Sequence, residues 1–374
     1  MWSTWRSSLM RSRRWRREDD RGLTTEPDRS PRISKVGWGS ALLVLGVLAG
    51  CAVLGIAVGA VDLPVRSVLA ELLDKLPGVD IESGLSKRQA AILWELRVPR
   101  VILAGMVGGM LAMAGAGFQG VFRNPLADPY LLGVAAGAGL GATLAIAYLP
   151  DASGWVISPL PVAAFAGAVL GVAVTYALGR SATRTYAAAT LILAGVAVAA
   201  FLTATQTFIQ QENSETFREV FAWIMGALGT AGWGEVTLIL PYVVVSALGL
   251  LLYRRLMDVM GVGDEEADSV GIKAARVRLV VVAAATLGTA AAVAVSGLIG
   301  FVGIIVPHAI RLVLGSSYRI ILPLSLGFGA AFLIVADLIA RTVIAPAEIP
   351  IGVITAFFGA PFFLVVLTRA RRLS

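Results

Sequence analysis

The sequence has one cysteine, Cys51, and one histidine, His308, in 374 residues. A disulfide scaffold and a cysteine-rich metal centre are therefore excluded, and so is any site that needs two histidines. Lysine is almost absent. Lys35, Lys75, Lys87 and Lys273 are the only four, and none follows a glycine, so no G-x-x-x-x-G-K-[ST] loop can cradle ATP here. No G-x-S-x-G and no obvious nucleophile–base pair is present. Charge is scarce as well, at 15% of residues, against about 25% in an ordinary soluble domain. What replaces it is apolar: 57% of residues are hydrophobic and the mean hydropathy is +0.81. A water-soluble globule of this length could not bury so much apolar surface, which excludes a soluble enzyme.

The apolar residues fall into ten runs, at about 37–61, 98–119, 130–149, 156–178, 187–209, 235–253, 279–298, 300–314, 320–342 and 351–368. Most approach the roughly 20 residues that a helix needs to cross the hydrocarbon; the eighth is short and reads as a broken or partial span. Backbone amides in lipid have no water to bond, so helix throughout is expected in each run. Alternating short strands of the kind that build an outer-membrane barrel are not seen. The expected fold class is an all-α polytopic membrane protein with about ten transmembrane helices.

The net charge of +7 suits nucleic acid or a membrane, and its distribution decides. With the N-terminus placed in the cytoplasm, 23 of the 31 basic residues lie inside and eight outside, the positive-inside pattern. Without the tail the split is 13 to 8 and still agrees. Both termini are then cytoplasmic. Residues 1–36, with the run RSRRWRR at 11–17, read as a solvated, mostly disordered tail lying on anionic lipid. A polar gap separates that run from the first span, which argues against a cleaved signal.

Within the spans, Gly133, Gly137 and Gly141 recur every four residues, as do Gly105 and Gly109. Ordinary close helix packing is the reading we favour over a sliding bundle. Cys51 reads as a small apolar filler. Val65, Val68, Leu69, Leu72, Leu73 and Leu76 repeat at helical spacing, which predicts an amphipathic helix in the outer segment 62–96. In 212–234, a polar stretch carrying Phe217, Phe221 and Trp223, a short helix folds back as a gate or a cap. The inner segment 254–278 begins a helix at its acidic run Asp264, Glu265, Glu266, Asp268, and Gly271 permits a turn. Two short helices with a break would form a cytoplasmic knob. Asp337 is the clear acid inside a span, and intramembrane acids are functional suspects. A proton carrier is one reading; a brace to Arg341, one helical turn on, is the preferred one.

Several motifs together resemble one family, the FecCD/BtuC-type permeases of binding-protein-dependent ABC importers. They are LRVPR at 96–100, GFQGVFRNPLADPYLLGVAAGAGLGA at 117–142, LILAGVAV at 191–198, GDEEADSVGI at 263–272, SGLIGFVGIIVPHAIRLVLG at 296–315, LIVADLIAR at 333–341 and APAEIPIGVITAFFGAPFF at 345–363. The resemblance covers about residues 37–370 and leaves the Arg-rich 1–36 outside.

The resemblance implies a BtuC-like fold of ten helices in a bacterial cytoplasmic membrane, with no bound cofactor and no chemistry on the cargo. ATP-Mg would sit on two separate ATPase subunits. A second permease subunit, identical or paralogous, and an extracytoplasmic binding protein would complete the importer; no nucleic acid is involved. Arg97, Arg100 and Arg341 match arginines that meet acidic residues of the binding protein. Gly263, Asp264, Glu265, Glu266, Ala267 and Gly271 match the segment that docks in the ATPase, and Glu265, Ala267 and Gly271 fit its loose E-x-A-x-x-x-G pattern. His308 matches a family histidine, with a structural hydrogen bond as the preferred role. Asn124, Pro125, Asp128 and Pro129 match a structural corner. Thr203, Thr205, Gln206 and Thr207 are candidates to line a weakly polar pathway. The function implied is ATP-driven alternating-access import of an iron–siderophore complex, with haem or cobalamin as alternative cargo. A proton-coupled secondary transporter using Asp337 is the reading from a different class, and a membrane-embedded enzyme is disfavoured by the missing catalytic pairs.

Overall fold

A computed structural model describes residues 37–370 apart from 60, 62, 76–77, 79–80, 150–157, 183–187 and 230. The Arg-rich 1–36 segment lies outside the described residues. Within them the chain is helical, with no strand. The membrane-length elements are α1 (Trp38–Ala57), α4 (Val98–Phe122), α6 (Pro159–Ala182), α7 (Ala188–Glu212), α9 (Trp233–Met260), α11 (Ala274–Ser296) and α13 (Tyr318–Thr342). The shorter ones are α2 (Val65–Asp74), α3 (Lys87–Ala91), α5 (Val134–Tyr148), α8 (Phe217–Ile224), α10 (Asp264–Ser269), α12 (Val302–Leu314) and α14 (Ile351–Ala370). Seven stretches are long and apolar enough to span a membrane, and α5, α12 and α14 supply three further apolar helices.

α4 is the core of the bundle. It packs against α13, α11, α12 and α9, and nearly all of its residues are buried. Its small residues are the reason. A Cβ on Gly108 would run into the Gly329 carbonyl and the Leu333 side chain of α13, and one on Gly115 into the Gly303 carbonyl of α12. Backbones this close gain dispersion contacts that lipid tails cannot offer. Gly137 and Gly141 of α5 do the same against Gly167 and Ala163 of α6, and Gly105 and Gly109 face α13. The glycine faces are packing faces, as expected.

Several expectations need correction. The second span does not begin at Val98: helix runs unbroken from Lys87, because a π-helical turn at Ile92–Arg97 joins α3 to α4. The third run is not α-helix throughout. Pro129 lacks an N–H, Asp128 caps the Tyr130 amide at 2.8 Å, and a 3-10 turn over Pro129–Leu132 ends at Gly133 with φ +85°. Only then does α5 start; its 15 residues rise about 22 Å and need that turn to approach the roughly 30 Å of hydrocarbon.

The eighth run is the broken one. α12 has 13 residues, about 20 Å, and is preceded by non-helical backbone at 297–301. Irregular backbone at membrane depth is tolerated where protein covers it. Here Tyr130 covers it: its hydroxyl donates to the Ile299 carbonyl at 3.0 Å and accepts from the Ile299 amide at 3.1 Å.

The predicted outer amphipathic helix is α2, with Val68 buried and Val65, Leu69 and Leu73 exposed. α8 is the short helix in 212–234; it packs on α5 with Val220 buried. Segment 254–278 holds one short helix, α10, not two. After Gly271, Ile272 and Lys273 lead straight into α11, whose Ala274 amide donates to Asp268 Oδ1 at 3.2 Å.

Candidate functional sites at the two ends of the bundle

α4 has 25 residues, about 37 Å of rise, and each of its ends carries a charged cluster. At its start, Arg97 sits on the π-helical turn and is only 6% exposed. Its Nη1 donates to the Ile56 and Ala57 carbonyls at 2.9 and 2.7 Å, and its Nη2 to Val61 O. Arg341 of α13 donates to Gly55 O. Two guanidiniums thus satisfy the carbonyls that α1 leaves open at its C-terminus, where a cation is also favoured by the helix dipole. Gly59 is small for the same reason: a Cβ there would lie 2.9 Å from Arg97 Nη2.

One turn on, Arg100 bridges two acids. Its Nε lies 3.1 and 3.0 Å from Asp337 Oδ1 and Oδ2, and its Nη2 lies 2.8 Å from Oδ1. On the other side Nη1 and Nη2 reach Glu348 Oε1 and Oε2 at 2.8 and 2.9 Å. The Asp337 side chain is 2% exposed and Glu348 43%. Arg341 Nε is 3.6 Å from Asp337 Oδ2. The expected brace to Arg341 is therefore the weaker arm. Arg100 makes the main pair because it approaches the carboxylate side-on from another helix. The Arg100 hydrogen bonds hold the Glu348 carboxyl below its ordinary range, against a smaller opposing effect of burial. Arg97, Arg100 and Arg341 lie at one end of the bundle, and all three are engaged with this chain's own groups. Glu348 was missed, although APAEIP at 345–350 is part of a recognised motif.

At the far end of α4, Asp264 opens α10 and accepts from Arg123 Nη2 at 2.9 Å and Arg278 Nη2 at 2.7 Å. α10 is thereby pinned to the ends of α4 and α11. Ala267 is fully buried, its carbonyl accepts the Ile272 amide at 2.9 Å, and Gly271 turns the chain at φ +84°. Gly263 is buried beside the Glu266 carboxylate, where a Cβ would collide. Glu265 and Glu266 stay exposed, flanked by Val262 and Val270 at 74% and 65% exposure. The result is a firmly based knob with an acidic and apolar outer face. Arg123 and Arg278, which hold it, were not anticipated.

The corner at 124–129 adjoins this end. Asn124 Oδ1 accepts the Leu126 amide at 2.9 Å. Burial pushes the Asp128 carboxyl up to about 6, while its hydrogen bond from the Tyr130 amide pulls the other way. Nearby, Asp258 takes the Tyr318 amide and the Ser317 hydroxyl at 2.5 and 2.8 Å, which seats the start of α13.

The pathway candidates on α7 divide. Thr203 and Thr207 are exposed one turn apart, and Thr205 is half-buried. Thr205 and Thr207 donate to carbonyls four residues back at 2.9 Å, which leaves an apolar outer surface. Gln206 points inward, 7% exposed, against Gly139. His308 of α12 packs edge-on against Phe362 of α14, with ring centroids 6.0 Å apart. That contact stands where a structural hydrogen bond was expected.

Among the described residues, a bundle of ten apolar helices with buried α4 at its centre, and with one ionic lock and one knob at its ends, defines a polytopic permease of the BtuC-like ABC-importer fold. The chain belongs to the FecCD transport family, whose sequence model matches residues 45–369. An uncharacterised ABC transporter permease protein of Bacillus subtilis, YvrB, is 36% identical over 344 residues, covering 91% of this chain and 96% of that protein. The cobalamin import system permease protein BtuC of Halobacterium salinarum is 42% identical over 287 residues, covering 77% and 76%. Other relatives carry names for Fe(3+)-citrate, iron(3+)-hydroxamate and hemin import. A solved metal-chelate type ABC transporter in an inward-facing conformation superposes with a TM-score of 0.76 at 27% identity, covering 88% of this chain and 98% of that one.

Proposed function

We propose that this chain is the membrane-spanning subunit of an ATP-driven importer that passes an iron–siderophore complex across a bacterial cytoplasmic membrane by alternating access. The observation that carries the reading is the α10 knob. Its base is fixed by Asp264, Arg123, Arg278 and Ala267, while Glu265, Glu266, Val262 and Val270 face outward. A rigid protrusion with an exposed recognition face suits the transmission of force from a separate ATPase, two copies of which would dock at this end. A binding protein would dock at the Arg100 end, and a second permease subunit would complete the pathway.

The reading assigns Arg100 a definite part in docking. Three arginines against two acids leave the cluster one positive charge. Of Arg100's partners, Asp337 is buried and Glu348 is exposed, so Glu348 is the one that an incoming carboxylate would replace. Charges at a wet rim orient a partner more than they tighten it.

The iron-chelate assignment is supported by relatives named for iron complexes. Cobalamin is the second reading, favoured by the 42% identity with the Halobacterium protein. Proton coupling through Asp337 is opposed by the three hydrogen bonds that tie its carboxylate to Arg100. The test is uptake into vesicles holding this chain with its ATPase and binding protein, offered ferric siderophores, hemin and cobalamin in turn. ATP-dependent uptake of a ferric siderophore is expected. Uptake driven by a proton gradient without the ATPase, or of cobalamin alone, would reject the assignment.

A further inference from the structure

α6 and α11 pack against each other, and an open groove of 750 Å³ lies between them. Each helix brings one stripe to it. On α6 the stripe is Ala173, Ala177 and Arg180; on α11 it is Leu279 and Ala283, and Arg276 stands one turn before Leu279, just beyond the lining. The two helices run in opposite directions, so Arg180, in the last turn of α6, and Arg276, in the first turn of α11, lie at the same end. That end is also the one that carries α10. Both arginines are exposed, and among the described residues no carboxylate pairs with either.

We propose that this groove binds one anionic glycerophospholipid. The two arginines take its phosphate, and an acyl chain fills the apolar stripe between the helices. The charge complementarity selects the occupant: a second protein helix would leave both guanidiniums unmatched, and a zwitterionic lipid would offset the phosphate with its own cation. The inference needs only that the chain spans a bilayer and is independent of the transported cargo.

The test is native mass spectrometry of the full chain extracted from bilayers of phosphatidylcholine doped with phosphatidylglycerol. Wild type is expected to retain one phosphatidylglycerol in preference to phosphatidylcholine. Arg180→Gln with Arg276→Gln should lower that retention about tenfold, while Arg180→Lys with Arg276→Lys should keep most of it. Ala173→Phe with Ala283→Phe fills the groove, leaves both arginines, and should also abolish retention. Equal retention of the two lipids by wild type overturns the proposal. So does loss in the arginine variant without loss in the filled one, which would mean surface attraction only. In a Cys51→Ala background, a disulfide between Ala177→Cys chains would place a second copy in the groove and would equally overturn it.

Discussion

Arg100 and Asp337 stand 237 residues apart in the chain and meet side-on, with the Arg100 Nη2 2.8 Å from Asp337 Oδ1. The pair joins α4 to α13, the helices whose glycines bring their backbones into contact at Gly108 and Gly329. Lock and glycine seam are therefore one device: the seam sets the distance between the helices, and the pair fixes their register.

Breaking the lock on one side should cost more than removing it whole. Asp337→Asn leaves Arg100 and Arg341 facing each other with a buried acid gone, and Arg100→Gln leaves Asp337 to the weaker Arg341 arm. Each is expected to destabilise by about 3 kcal/mol, and the double variant by less than either single. Thermal midpoints of the four proteins in detergent give the cycle. Additive losses would show that the two side chains are not coupled.

Glu348 should behave oppositely. Its side chain is 43% exposed, so Glu348→Gln should scarcely move the thermal midpoint. In the importer reading it frees Arg100 for an acidic partner, and binding-protein affinity should rise severalfold, more at low salt than at high. Surface plasmon resonance at two ionic strengths checks this. Unchanged or weaker docking would remove Glu348 from the role of stand-in.

How much of this was legible follows from the interactions involved. Apolar runs reveal spans because lipid demands them, so all ten helices could be read. The break before α12 showed only as a short eighth run, and the one at Gly133 did not show at all, since Gly133 looks like any packing glycine until its φ of +85° is seen. Asp337 beside Arg341 suggested a local pair because spacing of four is visible in sequence, whereas the stronger Arg100 pair depends on tertiary packing. The knob was visible as an acidic run ahead of Gly271, but the arginines that hold it come from two other helices. Periodicity showed a polar patch on α7 without showing that Gln206 would face inward.

The knob separates stability from coupling. Asp264→Asn weakens the two bridges to Arg123 and Arg278 and should loosen the base of α10, seen as faster amide exchange across 264–272. Glu265→Lys alters only the outer face, whereas the Glu266 carboxylate also packs on Gly263. The Glu265→Lys variant should keep the wild-type thermal midpoint and lose substrate-stimulated ATP hydrolysis in the assembled importer. Normal transport by the lysine variant would place the ATPase contact elsewhere.

The glycines make a graded prediction. Gly108→Ala puts a methyl into the Gly329 carbonyl and should destabilise by about 1–3 kcal/mol through overpacking. Gly46 of α1 has nothing within 4 Å, so Gly46→Ala should be neutral or stabilise by up to about 1 kcal/mol through helix propensity. Comparable losses at both positions would mean that close approach is not what Gly108 provides.

Asp128 allows a signed test of pH. Burial lifts its carboxyl to about 6 from an unfolded value near 3.9, so the fold favours the protonated form. The cost of holding the charge is present in full above pH 6 and disappears as pH falls below about 4. Asp128→Asn removes that charge and can still accept from the Tyr130 amide. The variant should therefore be the more stable protein at pH 8, by at most about 3 kcal/mol. Its advantage should shrink as pH falls through 6 to 5, because wild type gains a proton there and the variant does not. The difference in thermal midpoint between the two proteins, followed across that range, cancels every other titrating group that they share. A difference that stays constant, or one in which wild type leads at high pH, would mean that the hydrogen bond from Tyr130 outweighs burial and that the carboxylate is charged at the corner.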